Sequence, residues 1–376
     1  MIICCGEALI DMVRVTVRGL GNVFTPLPGG SPYNTAIAIG RLGVPVKFLG
    51  RLSTDFFGEI LFKKLLKCHV GDELIHRSAQ NSTLAFVEQD KVKGPQYIFY
   101  TEGTADCSLQ PSDLPPKLPA DTKCIVFGSI SMVLEPVSSA IESFILREGT
   151  RKSMDQVDGA PVISFDPNIR PFLIKDKNVY TGRFEKWAAA STIVKMSVED
   201  SAFIYPKLDP EKALQKVITM GPRLAICTLG PKGALALLRR NDGSVTKVTA
   251  PVVDLPVADT IGAGDTFHGA FLAWLELKEK MSRSALVYLS ENELYDALFF
   301  ANKAASIVCT RAGAEPPSRK EVETLKGLKE KEKEAKPTAK KTSEVKPKEA
   351  KPIETKLAAK AKPVAAKKSA VKGNKP

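Results

Sequence analysis

A chain of 376 residues, 44% hydrophobic and 26% charged, has the makeup of a globular protein with room for a large core and about two domains. Its formal net charge of +12 is concentrated at one end: from Pro316 onward, 19 Lys and Arg face 8 Asp and Glu, a net of +11. The basicity therefore belongs to a tail, and the nearly neutral body has no apolar run long enough to span a bilayer.

From the N-terminus, IICCGEAL reads as a buried strand, and the start MIICCGEALIDMV lacks the basic residues and long apolar stretch of a signal peptide. DMVRVTVRG (11–19) alternates apolar and polar residues. A helix is expected near 33–42, a strand at VKFLGRL (46–52) and a helix near 56–68. TLAFVEQD (83–90) and QYIFYTE (96–102) alternate again across turn-forming residues. These alternating segments make either a small antiparallel sheet inserted as a lid, about 11–28 and 83–104, or extra strands on the edge of the main sheet. CIVFGSI (124–130), VISFD (162–166), TIVKMS (192–197) and LAICTLG (224–230) are continuous apolar runs suited to a parallel sheet covered on both faces. Helices are expected near 135–149, 211–220 and 263–279. The last carries Phe267, Ala270, Phe271, Trp274 and Leu275 at helical spacing. The alternation of strand and helix predicts an α/β body over residues 1–315 with ligands at the carboxyl ends of its strands.

Cysteines at 4, 5, 68, 107, 124, 227 and 309 are odd in number and lack metal-ligand spacing. They read as reduced, mostly buried thiols of a cytoplasmic protein. Past residue 315, the segment 318–335 reads as a charged helix. The remainder is rich in Lys, Ala and Pro without an aromatic residue, and it is expected to stay disordered. Such a tail is either a solvated extension or a salt-sensitive attachment to DNA, RNA or another acidic surface.

The stretch DTIGAGDTF (259–267) places a Gly-Ala-Gly turn at the mouth of a helix. Helix-mouth N–H groups have no intrahelical partner, and with the positive helix end they favour an anion. Neither GxxxxGK[ST] nor GxGxxG is present, so the common nucleotide fingerprints are excluded. Asp265 beside that turn is either a general base for a hydroxyl attacking a phosphoryl group or simply the cap of the helix.

The stretch also resembles the C-terminal signature of the ribokinase-like sugar kinases, the PfkB carbohydrate kinase family. PGGSPYNTAIAIGRLG (28–43) and FLGRLSTDFFGE (48–59) resemble that family's N-terminal pattern, and the resemblance covers essentially residues 1–315. It implies a three-layer ribokinase-like fold with a mostly parallel central sheet and a small β-sheet lid. It implies Asp265 as catalytic base, with Gly262, Ala263 and Gly264 as the anion hole. Sugar hydroxyls would be gripped by Asp11, Gly29, Gly30 and Asn34. TLGPKG (228–233) resembles the nucleotide loop, so Thr228, Gly230 and Gly233 would border ATP, as would Asn302 on a late helix. DPNIR (166–170) resembles the sugar–phosphate junction, where Asn168 and Arg170 would face the ligands.

The family's Asn-x-x-Glu motif, which organises Mg²⁺ waters and phosphates, corresponds here to SVED (197–200). Asp200 stands where Glu is usual and Glu199 comes one residue early, so the choice of carboxylate stays open. An N-cap Ser197 with an acidic first turn explains the same letters. The resemblance further implies potassium-type activation near Asp259, Ala312 and Gly313, and a homodimer through the lid. YIFYTEGTADCSL (97–109) is similar to the lid of bacterial fructokinases, with Phe99 and Tyr100 expected over the sugar ring. It implies ATP-dependent phosphorylation of D-fructose at O6, with 2-keto-3-deoxygluconate kinase and ribokinase as enzyme alternatives. A nucleic-acid-associated protein built on a kinase-like body is the alternative of another class.

Overall fold

The first strand shows how the body is assembled. In Ile2–Cys5 (β1), Ile2 and Cys4 belong to one apolar cluster while Ile3 and Cys5 belong to a second on the opposite face. Both faces of the strand are covered, which is why its sequence is continuously apolar. The computed structural model describes residues 1–90, 94–149 and 160–325. These lie in one compact unit, and the tail beyond residue 325, expected to be disordered or to bind acidic surfaces, lies outside the described residues.

The strands that follow are β2 (Leu9–Val17), β3 (Gly21–Gly29), β4 (Val46–Ser53), β5 (Val70–Gly71) and β6 (Ile75–Ser78). Next come β7 (Leu84–Asp90), β8 (Gly94–Tyr100), β9 (Cys124–Gly128), β10 (Val162–Asp166) and β11 (Ile193–Ser197). The last are β12 (Leu224–Thr228), β13 (Ala234–Arg239) and β14 (Val245–Ala250). The main sheet has the order β14-β13-β12-β11-β10-β9-β1-β4-β5, with β6 also paired to β4. It is parallel from β12 through to β5, and β13 and β14 add an antiparallel edge.

Helices α1 (Ser31–Arg41), α2 (Phe56–Lys67), α3 (Val137–Gly149), α4 (Lys177–Ala190) and α5 (Val198–Ile204) alternate with these strands. They are followed by α6 (Pro210–Met220), α7 (Ala263–Leu277), α8 (Arg283–Val287), α9 (Glu291–Val308) and α10 (Arg319–Thr324). One layer holds α1, α2, α7 and α9, and the other holds α3, α4 and α6, giving the expected three-layer arrangement. Every residue of α7 from Asp265 to Leu275 is buried, so this helix is apolar nearly all round and its first turn is fixed rigidly. The compact body extends past the expected boundary at 315, because α10 places Val322 fully inside the core.

The alternating segments form a separate four-stranded sheet, β3-β2-β7-β8, and do not extend the main one. Its two hairpins are antiparallel as expected, but β2 and β7 pair in parallel, so the lid is a mixed sheet. Among the described residues, no helix is long and apolar enough to cross a membrane.

Candidate active site

The strand ends beneath the lid supply the floor of two adjoining cavities, where open α/β sheets carry ligands. A cavity of about 320 Å³ is bounded by Asp11, Gly30, Asn34, Arg170 and Asp265. A second, of about 430 Å³, is bounded by Thr228, Gly230, Gly233, Glu199, Asp200 and Asn302. Asn168, Thr260 and Gly264 border both.

Asp265 sits in the first turn of α7 and is buried. Its Oδ1 accepts from Ser31 Oγ at 2.6 Å and from Asn168 Nδ2 at 3.4 Å, and its Oδ2 accepts from Asn34 Nδ2 at 2.9 Å. Burial pushes its pKa up to about 6, although the Ser31 and Asn34 bonds pull the other way. The carboxylate is thus held by side chains of α1 and of the segment after β10, and it does not cap its own helix. Asn34 Oδ1 has no partner among the described residues, which leaves a buried acceptor for a ligand hydroxyl.

Gly262 precedes α7 with φ 75°, in the left-handed region, and a Cβ there would stand 2.6 Å from Ala314 Cβ. The first i to i−4 bond of the helix runs from Thr266 N–H to Gly262 O at 2.8 Å. The N–H groups of Gly264 and Asp265 precede that bond and lie at the positive helix end. Ala263 N–H instead turns back to Thr260 O at 3.2 Å, so it is the member of the expected anion hole least available to a ligand.

In the smaller cavity, burial pushes the Asp11 pKa up to about 7; Arg170 opposes this, and Asp265, Glu7 and Asp259 add to it. Arg170 Nη1 donates to Asn168 Oδ1 at 2.7 Å, and its guanidinium lies 5.8 Å from the Tyr97 ring centre. Gly29 ends β3 behind Asp11 and does not border the cavity, whereas Gly30 does. Tyr100, expected over the sugar ring, does not border this cavity. On β8 the alternation of side chains sends Tyr97 and Phe99 into the cavity, while Tyr100, 61% exposed, lies on the other face with Ile98.

In the larger cavity, Thr228 ends β12, and Gly230 and Gly233 flank a tight turn. Asn302 is brought there too, but its Nδ2 donates to Ala250 O and Pro251 O at 2.9 and 3.0 Å. The amide fastens the strap after β14 and does not present its N–H groups to the cavity. Asp200 is committed in a similar way: Oδ1 accepts from Ile169 N at 2.7 Å and Oδ2 from Ser197 N at 2.8 Å, in a capping box with Ser197. Glu199 is exposed at the rim. Among the described residues, no group of three or more His, Cys, Asp or Glu side chains is placed to hold a metal. That donor set suits a hard cation arriving on phosphates better than one held in a protein cage. Asp259 accepts from Thr260, Ile261 and Gly313 N–H at 2.7, 3.1 and 3.0 Å, tying the glycine turn before α7 to the late loop with most of its acceptor capacity used.

Four residues of the site are not legible as such in the sequence. Ser31 grips Asp265, Tyr97 lines the sheet-covered cavity, and Lys195 lies on the floor of the larger one. Glu7, buried after β1, accepts from Ser31 N at 3.0 Å and from Ser131, and so fixes the start of α1. A carboxylate ending an otherwise apolar strand is the one advance sign that Glu7 gives.

A buried carboxylate beside a helix-mouth turn, with one polar cavity on its own side and a second beyond the turn, defines a phosphotransferase site acting on a hydroxyl. The profile of the pfkB family carbohydrate kinases matches residues 1–321, and the chain belongs to that family. A fructokinase of Rhizobium leguminosarum bv. trifolii is 38% identical over 296 residues, covering 78% of this chain and 85% of that protein. A probable fructokinase-3 of Arabidopsis thaliana is 32% identical over 340 residues, covering 89% and 92%. The solved structure of a Xylella fastidiosa fructokinase with bound ATP superposes with a TM-score of 0.76 at 25% identity, covering 88% of this chain and 98% of that one.

Proposed function

We propose that the chain transfers the γ-phosphate of ATP to O6 of D-fructose. The observation that carries this reading is the shared wall: Gly264 borders both cavities, and Asp265 faces the smaller one. A sugar hydroxyl beside Asp265 gives its proton to the carboxylate as the oxygen attacks phosphorus. The N–H groups of Gly264 and Asp265 receive charge from the transferring group. Asp11 and the free Oδ1 of Asn34 pair with other hydroxyls, and Tyr97 and Phe99 exclude water from the smaller cavity. Mg²⁺, when bound with the nucleotide, supplies countercharge to the phosphates, and Glu199 would hold its waters because both Asp200 oxygens are already engaged. Fructose is favoured over other sugars by the names of the relatives that cover most of the chain.

A coupled assay across fructose, ribose, 2-keto-3-deoxygluconate and nucleosides tests the reading. Fructose is expected to give the highest kcat/KM, and a clear preference for another acceptor overturns it. Within that assay, Tyr97→Ala is expected to raise the KM for sugar by roughly tenfold, the loss of an aromatic contact of about 1.4 kcal/mol. Tyr100→Ala, on the outer face, should leave it within about twofold.

A further inference from the structure

No sequence motif marks a cation beneath the glycine turn of α7, yet one is there. Lys195, in β11, is only 4% exposed and borders the larger cavity. Its Nζ donates to Asp166 Oδ2 at 2.8 Å, and Asp166 is equally buried at the end of β10. The same Nζ lies 3.1 Å from the point where a Cβ on Gly264 would stand. The ammonium therefore presses against the glycine that both cavities share.

The surrounding groups keep Lys195 charged. Burial opposes its charge, but Asp166, Asp200 and Asp265 outweigh burial and raise its pKa. His268, whose Nδ1 is 3.8 Å from Asp166 Oδ2, is pushed down to about 3 by burial and then by Lys195, so it stays neutral. Ser164 Oγ engages its Nε2 at 2.7 Å. Asp166 Oδ1 has no partner among the described residues. A buried ion pair is a poor choice for stability alone, since apolar residues of similar volume often serve as well. Its placement at the catalytic turn supplies another use.

We propose that Lys195 is a catalytic residue whose ammonium contacts the transferring phosphoryl group from the nucleotide side of Gly264, with Asp166 as the residue that positions it. The proposal rests on the phosphotransfer reading above. A compact ammonium suits a point contact under a glycine turn, where the broad planar fork of Arg would not fit. In the water-poor floor of the site, a fixed cation aimed at the phosphoryl oxygens stabilises charge without reorganisation.

The test compares the full-length wild type with Lys195→Met and with the double variant Asp166→Asn/Lys195→Met, which also removes the carboxylate left behind. The readouts are kcat, equilibrium binding of ATP and of ADP, and thermal unfolding. Both variants are expected to lose roughly 10²–10³ in kcat, as for a lost charge-stabilising donor. ATP affinity should fall at least about tenfold while ADP affinity stays within about threefold, because ADP lacks the γ-phosphate. The double variant guards against a folding defect in the single one. Recovery of kcat by the double variant, or equal weakening of ATP and ADP, overturns the proposal and leaves a structural pair. If the wild type phosphorylates no sugar of the panel, the substrate reading fails, while the comparison of ATP with ADP still decides the role of Lys195.

Discussion

Asp265→Asn is expected to lower kcat by roughly 10²–10⁴, the usual contribution of a positioned general base, with little change in the KM for sugar. The substitution keeps the shape of the side chain and an acceptor for Ser31 Oγ, which bonds the carboxylate at 2.6 Å. The new amide N–H groups would face Asn34 Nδ2, but a flip of Asn34 presents its unpartnered Oδ1 instead. Stability should not suffer, because burial already disfavours the charged carboxylate and pushes its pKa up to about 6. The pH profiles follow from the same shift. The base works only when ionised, so kcat should fall about tenfold per pH unit below about 6 and level off above it. For folding the sign is opposite. A carboxyl whose folded pKa exceeds its unfolded value contributes stability that is fully present below the unfolded pKa, 3.8, and is lost as pH rises through about 6. With respect to this group the protein grows more stable as it loses activity, so the acid limb of kcat should occur without unfolding. Asp11, pushed up to about 7, should appear separately, in the KM for sugar. A variant retaining more than about a tenth of wild-type kcat, or an acid limb that coincides with loss of structure, would remove Asp265 from the role of base.

The parallel strands were legible because a strand covered on both faces is mostly apolar, and IICC and CIVFG satisfy that with no need of register. The glycine turn at the mouth of α7 was legible because Gly-Ala-Gly-Asp before an apolar helix is a local arrangement. What was hidden depends on contacts distant in sequence. Ser31 meets Asp265 across 234 residues and Lys195 meets Asp166 across 29, and nothing near either residue announces its partner. Choosing between Tyr97 and Tyr100 requires knowing which face of β8 turns inward, and that depends on the parity of its pairing with β7. Helix α4 hides for another reason: Tyr180, Phe184 and Trp187 make its buried stripe, but Lys, Arg and Glu between them dilute the periodic signal. The β13–β14 hairpin turns through Asn241, Asp242 and Gly243, a turn signal that lies outside the alternation of strand and helix.

Asp200→Ala is expected to destabilise the fold by about 2–6 kcal/mol, since it strips acceptors from two backbone donors at roughly 1–3 kcal/mol each. One of these is Ile169 N, buried, and the other is Ser197 N at the cap of α5. The effect should reach the site, because Ile169 lies between Asn168, which borders both cavities and bonds Asp265, and Arg170, which borders the smaller one. The KM for sugar should therefore rise together with the fall in stability. Glu199→Gln separates anchoring from metal handling. Glu199 is exposed at the rim of the larger cavity, so its loss should leave the denaturation midpoint unchanged. It should instead raise the Mg²⁺ concentration needed for half-maximal rate. The sequence left the two acidic residues of SVED interchangeable, and the geometry makes them opposites, one facing inward onto backbone amides and one facing the solvent that a hydrated cation brings with it. If Asp200→Ala shifts the Mg²⁺ requirement and leaves the denaturation midpoint where it was, the assignment reverses, and the capping box would be incidental to a metal-organising carboxylate.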